Sequence, residues 1–151
     1  DTDTYMKAGI NVSIGTDGTA SNNTLDMVEE MRFAALLPKG SLHNPEAVNA
    51  RTALRMATIN GAKALGIHHL TGSLEVGKRA DLIVIHADAS NMLPIYDVYS
   101  AIVYASNSKN IRSSMVNGKW IMRNRELMNI NKTETMESMK HIVNSQIDNR
   151  K

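Results

Sequence analysis

The spacing of hydrophobic positions changes several times along the chain, and each change marks an element. The first apolar run is short, Ile10 to Ile14, opened by Gly9 and closed by Gly15. A continuous run of this length between glycines reads as a buried strand. It leads into Gly15-Thr16-Asp17-Gly18-Thr19-Ala20-Ser21-Asn22-Asn23, whose Gly, Ser, Thr and Asn content reads as a loop. A helical period follows, with Met27, Val28, Met31, Ala34 and Ala35 on one face. Asn23 or Thr24 can cap this helix, Asp26 suits its first turn, and Pro38-Lys39-Gly40 is expected to end it. A second helix is expected from Asn44-Pro45, with Ala47, Ala50, Leu54 and Ala57 along one face. A short helix from Asn60 to Leu65 follows, stopped by Gly66.

The texture then shifts toward sheet. Gly72 and Gly77 suit turns, and Asp81 to Ile85 reads as a strand. Tyr96 to Tyr104 suggests a short helix. Ile111 to Val116 and Lys119 to Met122 flank Asn117-Gly118, a strong hairpin signal. From Thr133 to Ile147 the period is helical again, with Met136, Met139, Val143 and Ile147 on one stripe. No internal repeat or low-complexity segment interrupts these elements. The boundary falls near residue 70, which divides residues 1–70, a strand–loop–helix–helix part, from residues 71–151, a small sheet unit with a terminal helix.

Composition narrows the classes. The 151 residues suffice for one domain with a real core, and 42% are hydrophobic. Aromatics make up only 4%, so aliphatic side chains and ten methionines must fill the interior. The Met27/Met31 and Met136/Met139 stripes therefore read as core packing rather than cofactor boxes. A formal net charge of +2, without a long basic block, argues against nucleic acid and an acidic membrane as partners. The absence of cysteine excludes disulfides, zinc–thiolate sites and cysteine nucleophiles, and it is compatible with the cytoplasm. No apolar run approaches the roughly 20 residues that span a bilayer, and no signal peptide opens the chain. The first residues, Asp1 to Tyr5, lack an initiator Met, which fits a trimmed or tagged chain. Sequons at Asn11, Asn22 and Asn131 read as chance occurrences.

The chemistry centres on Asp17. An acidic residue just past the C-terminal end of a strand points into the mouth of a sheet or barrel, where barrel enzymes keep their catalytic groups. A carboxylate there can bind a divalent metal and take a proton from metal-bound water. The bland alternative is a simple Asp-Gly turn.

The surrounding residues favour the catalytic reading. Gly15 to Asn23, followed by Leu25-Asp26-Met27 and Glu29-Glu30-Met31-Arg32, closely resembles a stretch of the amidohydrolase superfamily. The similarity is greatest to the methylthioadenosine and S-adenosylhomocysteine deaminase branch, alongside related chlorohydrolases. Met56 to Gly66 resembles the helix after the eighth strand region of that family's barrel, and Gly72 to Ile85 the re-entry into its small β domain. Val116 to Lys119 with Met122-Arg123 resembles the closing hairpin of that domain. The resemblance implies an α/β chain holding the last portion of a metal-dependent (β/α)8 barrel in residues 1–70, and part of a small β-sandwich domain with a C-terminal helix in residues 71–151. It also implies that Asp17 ligates zinc or another divalent metal and shuttles the proton during hydroxide attack, and that Ser21 contacts the substrate. Asn22 and Asn23 could do the same, but capping and turn roles suit them better.

The family's other metal-site residues are missing. The family holds its metal with a His-x-His pair and two later histidines, and a glutamate moves protons. The five histidines here, His43, His68, His69, His86 and His141, lack that spacing and read as surface or loop residues. A catalytic zinc needs about three protein ligands, so this chain alone is expected to be inactive and metal-poor. Lys78-Arg79 and Arg123 to Arg125 read as solvated turn charges. In the family, strands from both chain ends build the β domain. Leu82 to Ile85 is therefore expected to expose an edge here, favouring dimerisation, strand exchange or limited stability.

The reading that follows is the C-terminal part of a metal-dependent aminohydrolase. It would act on a purine nucleoside such as 5'-methylthioadenosine or S-adenosylhomocysteine, as a cytoplasmic homo-oligomer. The alternatives are another amidohydrolase reaction, on a chlorinated or amino-substituted triazine, guanine or cytosine, or a non-catalytic self-associating module.

Overall fold

A computed structural model describes residues 2–148, and the first element it shows is one the hydrophobic pattern did not announce: helix α1, Thr2–Lys7. The chain then runs through Ile10 to Ile14 without forming a ladder. The expected strand is absent because no second strand lies beside it among the described residues. Its polar groups turn to side chains and a helix end instead. Ile14 N donates to Met56 O at 3.3 Å, and Asn60 Nδ2 donates to Val12 O at 3.0 Å. Val12 and Ile14 still pack on the core.

Helix α2, Met27–Ser41, begins where the expected face begins, but its cap is Asp26 rather than Asn23 or Thr24. Asp26 Oδ1 accepts from Val28 N at 2.9 Å and Glu29 N at 3.3 Å, which satisfies two of the free amides of the first turn. Pro38 does not end the helix. It sits in the last full turn, where its missing N–H removes a single bond, and its own carbonyl still accepts from Leu42 N.

The next helix also starts later than expected. Asn44 to Val48 form a turn, and Asn49 caps helix α3, Ala50–Met56, by accepting from Thr52 N at 3.0 Å. Lys39 Nζ donates to Pro45 O at 2.7 Å and Ala47 O at 2.6 Å, so these carbonyls are taken by a cation instead of a helical ladder. Helix α4, Ile59–Ala64, matches expectation and ends before Gly66, whose φ is 72°.

Val28, Met31 and Ala35 of α2 pack with Val48, Ala50, Ala53, Met56 and Val103 to form the core. Val103 lies on a segment that opens as the short α5, Val98–Ser100, capped by Asp97, and continues as a π-helical turn, Ala101–Ala105. The widened turn has a physical reason. Ser106 N donates to Ala101 O at 2.9 Å, five residues back, while the Ser106 hydroxyl takes Ile102 O, the carbonyl that its N–H would meet in an α-helix; Arg32 holds Val103 O and Ser106 O, and Asn91 Nδ2 donates to Ala105 O at 2.8 Å.

The second half holds a four-stranded antiparallel sheet in the order β1-β2-β3-β4, comprising Leu82–Ile85, Ile111–Val116, Lys119–Arg123 and Glu126–Leu127. Leu82 pairs with Met115 and Ile83 with Ser114. Between β2 and β3, Asn117 and Gly118 take φ of 49° and 77°, the left-handed pair that a two-residue hairpin turn requires. Asp81 does not join β1. Its carboxylate accepts from Asn117 N at 2.6 Å and Thr71 Oγ1 at 2.7 Å, tying that hairpin to the segment before the sheet.

Helix α6, Lys132–Asp148, spans the expected terminal helix, but its described side chains are exposed, Met136, Met139, Val143 and Ile147 among them. The Met136/Met139 stripe is therefore not core packing in this structure, because no element among the described residues covers it. Met31, by contrast, is a core residue. No described helix is long and apolar enough to cross a membrane.

Candidate functional site

Asp17 lies just beyond the extended run that Val12 and Ile14 anchor to the core. Its φ is 57°, the left-handed region, which aspartate tolerates better than most residues because its short side chain can bond locally. That bonding is present. Asp17 Oδ1 accepts from Gly18 N at 2.7 Å, and Oδ2 accepts from the Ser21 hydroxyl, also at 2.7 Å. Ser21 N and Asn22 N both donate to Gly18 O, at 3.1 and 2.9 Å, and close the turn that brings Ser21 back over Asp17. The Ser21 hydroxyl, and then the Gly18 amide, hold the Asp17 carboxyl below its usual range, against a small opposing effect of desolvation. The result is an exposed carboxylate, ionised at neutral pH and oriented by two short hydrogen bonds.

Two carboxylates on α2 hold the far side of this loop. Asn22 Nδ2 donates to Glu30 Oε1 at 2.6 Å. Thr24 N donates to Asn22 Oδ1 at 3.1 Å, and Thr24 Oγ1 lies 3.1 Å from Glu29 Oε2. Asn22 thus has an anchoring role, in keeping with its expected turn function. Glu29, Glu30 and Arg32 were not singled out as structural contacts from sequence. The available signal was the acidic pair that opens α2 just after a polar loop, which also suits a simple first-turn charge preference.

The structure brings Asp17 and Ser21 together and leaves the histidines apart. His43, His68, His69, His86 and His141 are all exposed, and the rings of His68 and His69 lie edge to face at 6.0 Å. Among the described residues, no group of three or more His, Asp or Glu side chains could hold a metal ion. Asp17 fits a hard divalent cation as one oxygen donor.

Several cavities lie elsewhere, and two differ sharply in character. An apolar cleft of about 640 Å³ is lined by Leu54, Leu65, Ile67, Leu74, Leu82 and Ile83, among others. A smaller cavity of about 260 Å³ is cationic, lined by His86, Lys109, Arg112, Asn124 and Arg125. Neither includes Asp17 or Ser21. The turn charges are more engaged than expected. Lys78 Nζ donates to Ser73 Oγ at 2.6 Å and pairs with Glu75 at 3.2 Å, while Arg125 donates to Ser108 O and Ile111 O, both at 3.1 Å. These fixed partners order the turns, so the side chains are not freely solvated.

Comparison with known proteins identifies the class. Residues 2–121 match the Amidohydrolase family, and the chain belongs to it. It is 44% identical over 140 residues to the 5-methylthioadenosine/S-adenosylhomocysteine deaminase of Acetivibrio thermocellus, an alignment covering 93% of this chain and 32% of that protein. It is 46% identical over 132 residues to the 5'-deoxyadenosine deaminase of Methanosarcina barkeri, covering 87% of this chain and 30% of that protein. Among solved structures, the zinc-bound adenosine deaminase of Xanthomonas campestris superposes with a TM-score of 0.90 at 37% identity, covering 93% of this chain and 32% of that one. The chain thus spans about a third of the length of the relatives it matches.

Proposed function

We propose that this chain is the C-terminal portion of a zinc-dependent aminohydrolase that deaminates a purine nucleoside such as 5'-methylthioadenosine or S-adenosylhomocysteine. The observation that carries this reading is Asp17. It is a fixed, ionised carboxylate at the end of the extended segment, in a chain whose relatives are named as deaminases of adenosine-type nucleosides. In this reading residues 1–70 are the last portion of the barrel, and residues 71–151 are part of the small β domain with its terminal helix. A divalent metal bound with Asp17 as one ligand would lower the pKa of a coordinated water.

The roles of the chain's own residues follow from their geometry. Asp17 accepts a proton from the attacking water and passes it to the departing amine, so that an amine and water are exchanged for a carbonyl and ammonia. Ser21 spends its hydroxyl proton on Asp17, which leaves its oxygen lone pairs free to accept a hydrogen bond from the substrate. The near-neutral formal charge of +2 supports a small-molecule substrate over nucleic acid or a membrane surface. A cytoplasmic location is compatible with the lack of cysteine, and the exposed edge of β1 favours a homo-oligomer.

The test is a substrate screen on the full-length enzyme. Ammonia release is measured with 5'-methylthioadenosine, S-adenosylhomocysteine and 5'-deoxyadenosine, beside guanine, cytosine and a chlorinated triazine. Release from the nucleosides supports the proposal. Turnover of only the other compounds, or of none, rejects it. An upstream reading frame without a His-x-His pair would reject it as well.

A further inference from the structure

We propose that Glu30, acting through Asn22, is a positioning residue for the Asp17–Ser21 pair. This inference rests on the functional reading above and deepens it.

The loop from Gly18 to Ser21 is exposed. Its glycine and small residues give it no stiffness of its own. Yet the carboxylate of Asp17 takes its direction from this loop, through Gly18 N and Ser21 Oγ. Something must therefore tie the loop to the rigid part of the molecule, and the tie is at Asn22. Its backbone N–H donates to Gly18 O at 2.9 Å, closing the turn that carries Ser21. Its side-chain nitrogen donates to Glu30 Oε1 at 2.6 Å, and its side-chain oxygen accepts from Thr24 N at 3.1 Å. Both ends of the amide are engaged, so the residue has one orientation.

Glu30 is a suitable anchor. It lies on α2 between Val28 and Met31, both in the core, and the Asp26 cap fixes the start of that helix. Glu30 and Asn22 are both half-buried, where a hydrogen bond to a carboxylate is stronger than one between neutral groups. A shift of Asn22 would move Ser21, and with it the oxygen of Asp17 that must meet the reacting water.

The test uses the full-length enzyme. Misplacing a reacting group by about an ångström can slow turnover by a factor of 100, so Glu30→Ala and Asn22→Ala are each expected to lower kcat about 10- to 100-fold. Their KM should rise by less than kcat falls, because Ser21 is the one named substrate contact that moves with the loop. Glu30→Gln keeps the accepting oxygen and should restore most of kcat. The double variant should be no worse than the poorer single variant, since both remove one contact. Amide hydrogen exchange across residues 18–24 of the metal-free protein gives a readout independent of turnover and should quicken in Glu30→Ala.

Wild-type kcat in the alanine variants overturns the proposal, even if exchange quickens. A Gln variant as slow as the Ala variant overturns it too. In both cases an active parent enzyme leaves the functional reading standing. An inactive parent enzyme removes that reading and this proposal together.

Discussion

Asp17 shows why a single residue type can read two ways. An Asp-Gly pair after an apolar run is ordinarily a turn, and here it is one: Asp17 is left-handed and bonds to its own turn through Gly18 N. The turn is also what aims the carboxylate, so a turn role is compatible with the catalytic role proposed for it. Asp17→Asn tests the catalytic half. Asparagine tolerates the same backbone conformation but carries no charge and takes up no proton. Loss of the acid–base group should lower kcat of the full-length enzyme by at least about 100-fold, with the thermal midpoint little changed. Near-normal turnover would remove Asp17 from the mechanism. Asp81 is a structural counterpart. The Asn117 amide first, then the Thr71 hydroxyl and the Arg79 charge, hold its carboxyl below its ordinary value of 3.8. A depressed carboxylate contributes stability that is present above its ordinary value and lost as pH falls through the lowered one. Asp81→Asn should therefore reduce the urea midpoint at neutral pH, and the gap from wild type should shrink below pH 3.8. A gap that stays constant with pH would show that the charge does not matter. The pairing of Asp17 with a hydroxyl of its own loop was within reach of the sequence, because the two lie four residues apart in one polar turn. The reach of Asn22 to Glu30 was not, because it depends on how the loop folds back over the helix.

Elements were legible where their signals are local. The Asn117-Gly118 hairpin and the Gly66 stop needed only the residues that form them. Elements misread from sequence were set by distant groups. Lys39 captured the carbonyls that would have opened a helix at Pro45. Ile10 to Ile14 reads as a strand, yet strand pairing is a property of two segments and its neighbour is not among the described residues. Gly72 and Gly77 both read as turn glycines, and the structure separates them. Both have left-handed φ, 90° and 92°, but a Cβ at Gly72 would lie 2.7 Å from Ala62 Cβ and 3.0 Å from Ile59 Cα, while one at Gly77 meets nothing within 4 Å. Gly72 is where the chain passes close against α4. Gly77→Ala should show only the conformational penalty, about 1 kcal/mol. Gly72→Ala should add an overpacking penalty of about 1–3 kcal/mol. Equal losses in denaturant titrations of the two variants would mean that the close approach to α4 is unimportant.

At the scale of the whole molecule, the core is confined to one side. It joins α2, α3 and the π-helical turn, while much apolar surface faces outward. Leu65 is 75% exposed and Leu74 is 73% exposed, and both border the apolar cleft of about 640 Å³ beside β1. β1 is an edge of the sheet, with Ile83 and Val84 exposed on it, and every described side chain of α6 is exposed. An open strand edge beside an apolar cleft is a template for pairing with another chain, and soluble proteins seldom leave so much apolar surface uncovered. This distribution fits a chain that spans about a third of its relatives' length. It was only partly legible in the sequence: the edge of β1 followed from the resemblance, whereas the free face of α6 resembled a core stripe until its surroundings were seen. The 151-residue chain on its own should therefore self-associate. Sedimentation or light scattering should give a mass above 16.6 kDa that rises with concentration. Ile83→Lys places a charge on the exposed edge and should lower that mass, because a lysine there opposes strand addition. A single species of 16.6 kDa at all concentrations would mean that these surfaces are satisfied within one chain. An Ile83→Lys variant that associates as strongly as wild type would move the contact from the β1 edge to the stripe on α6.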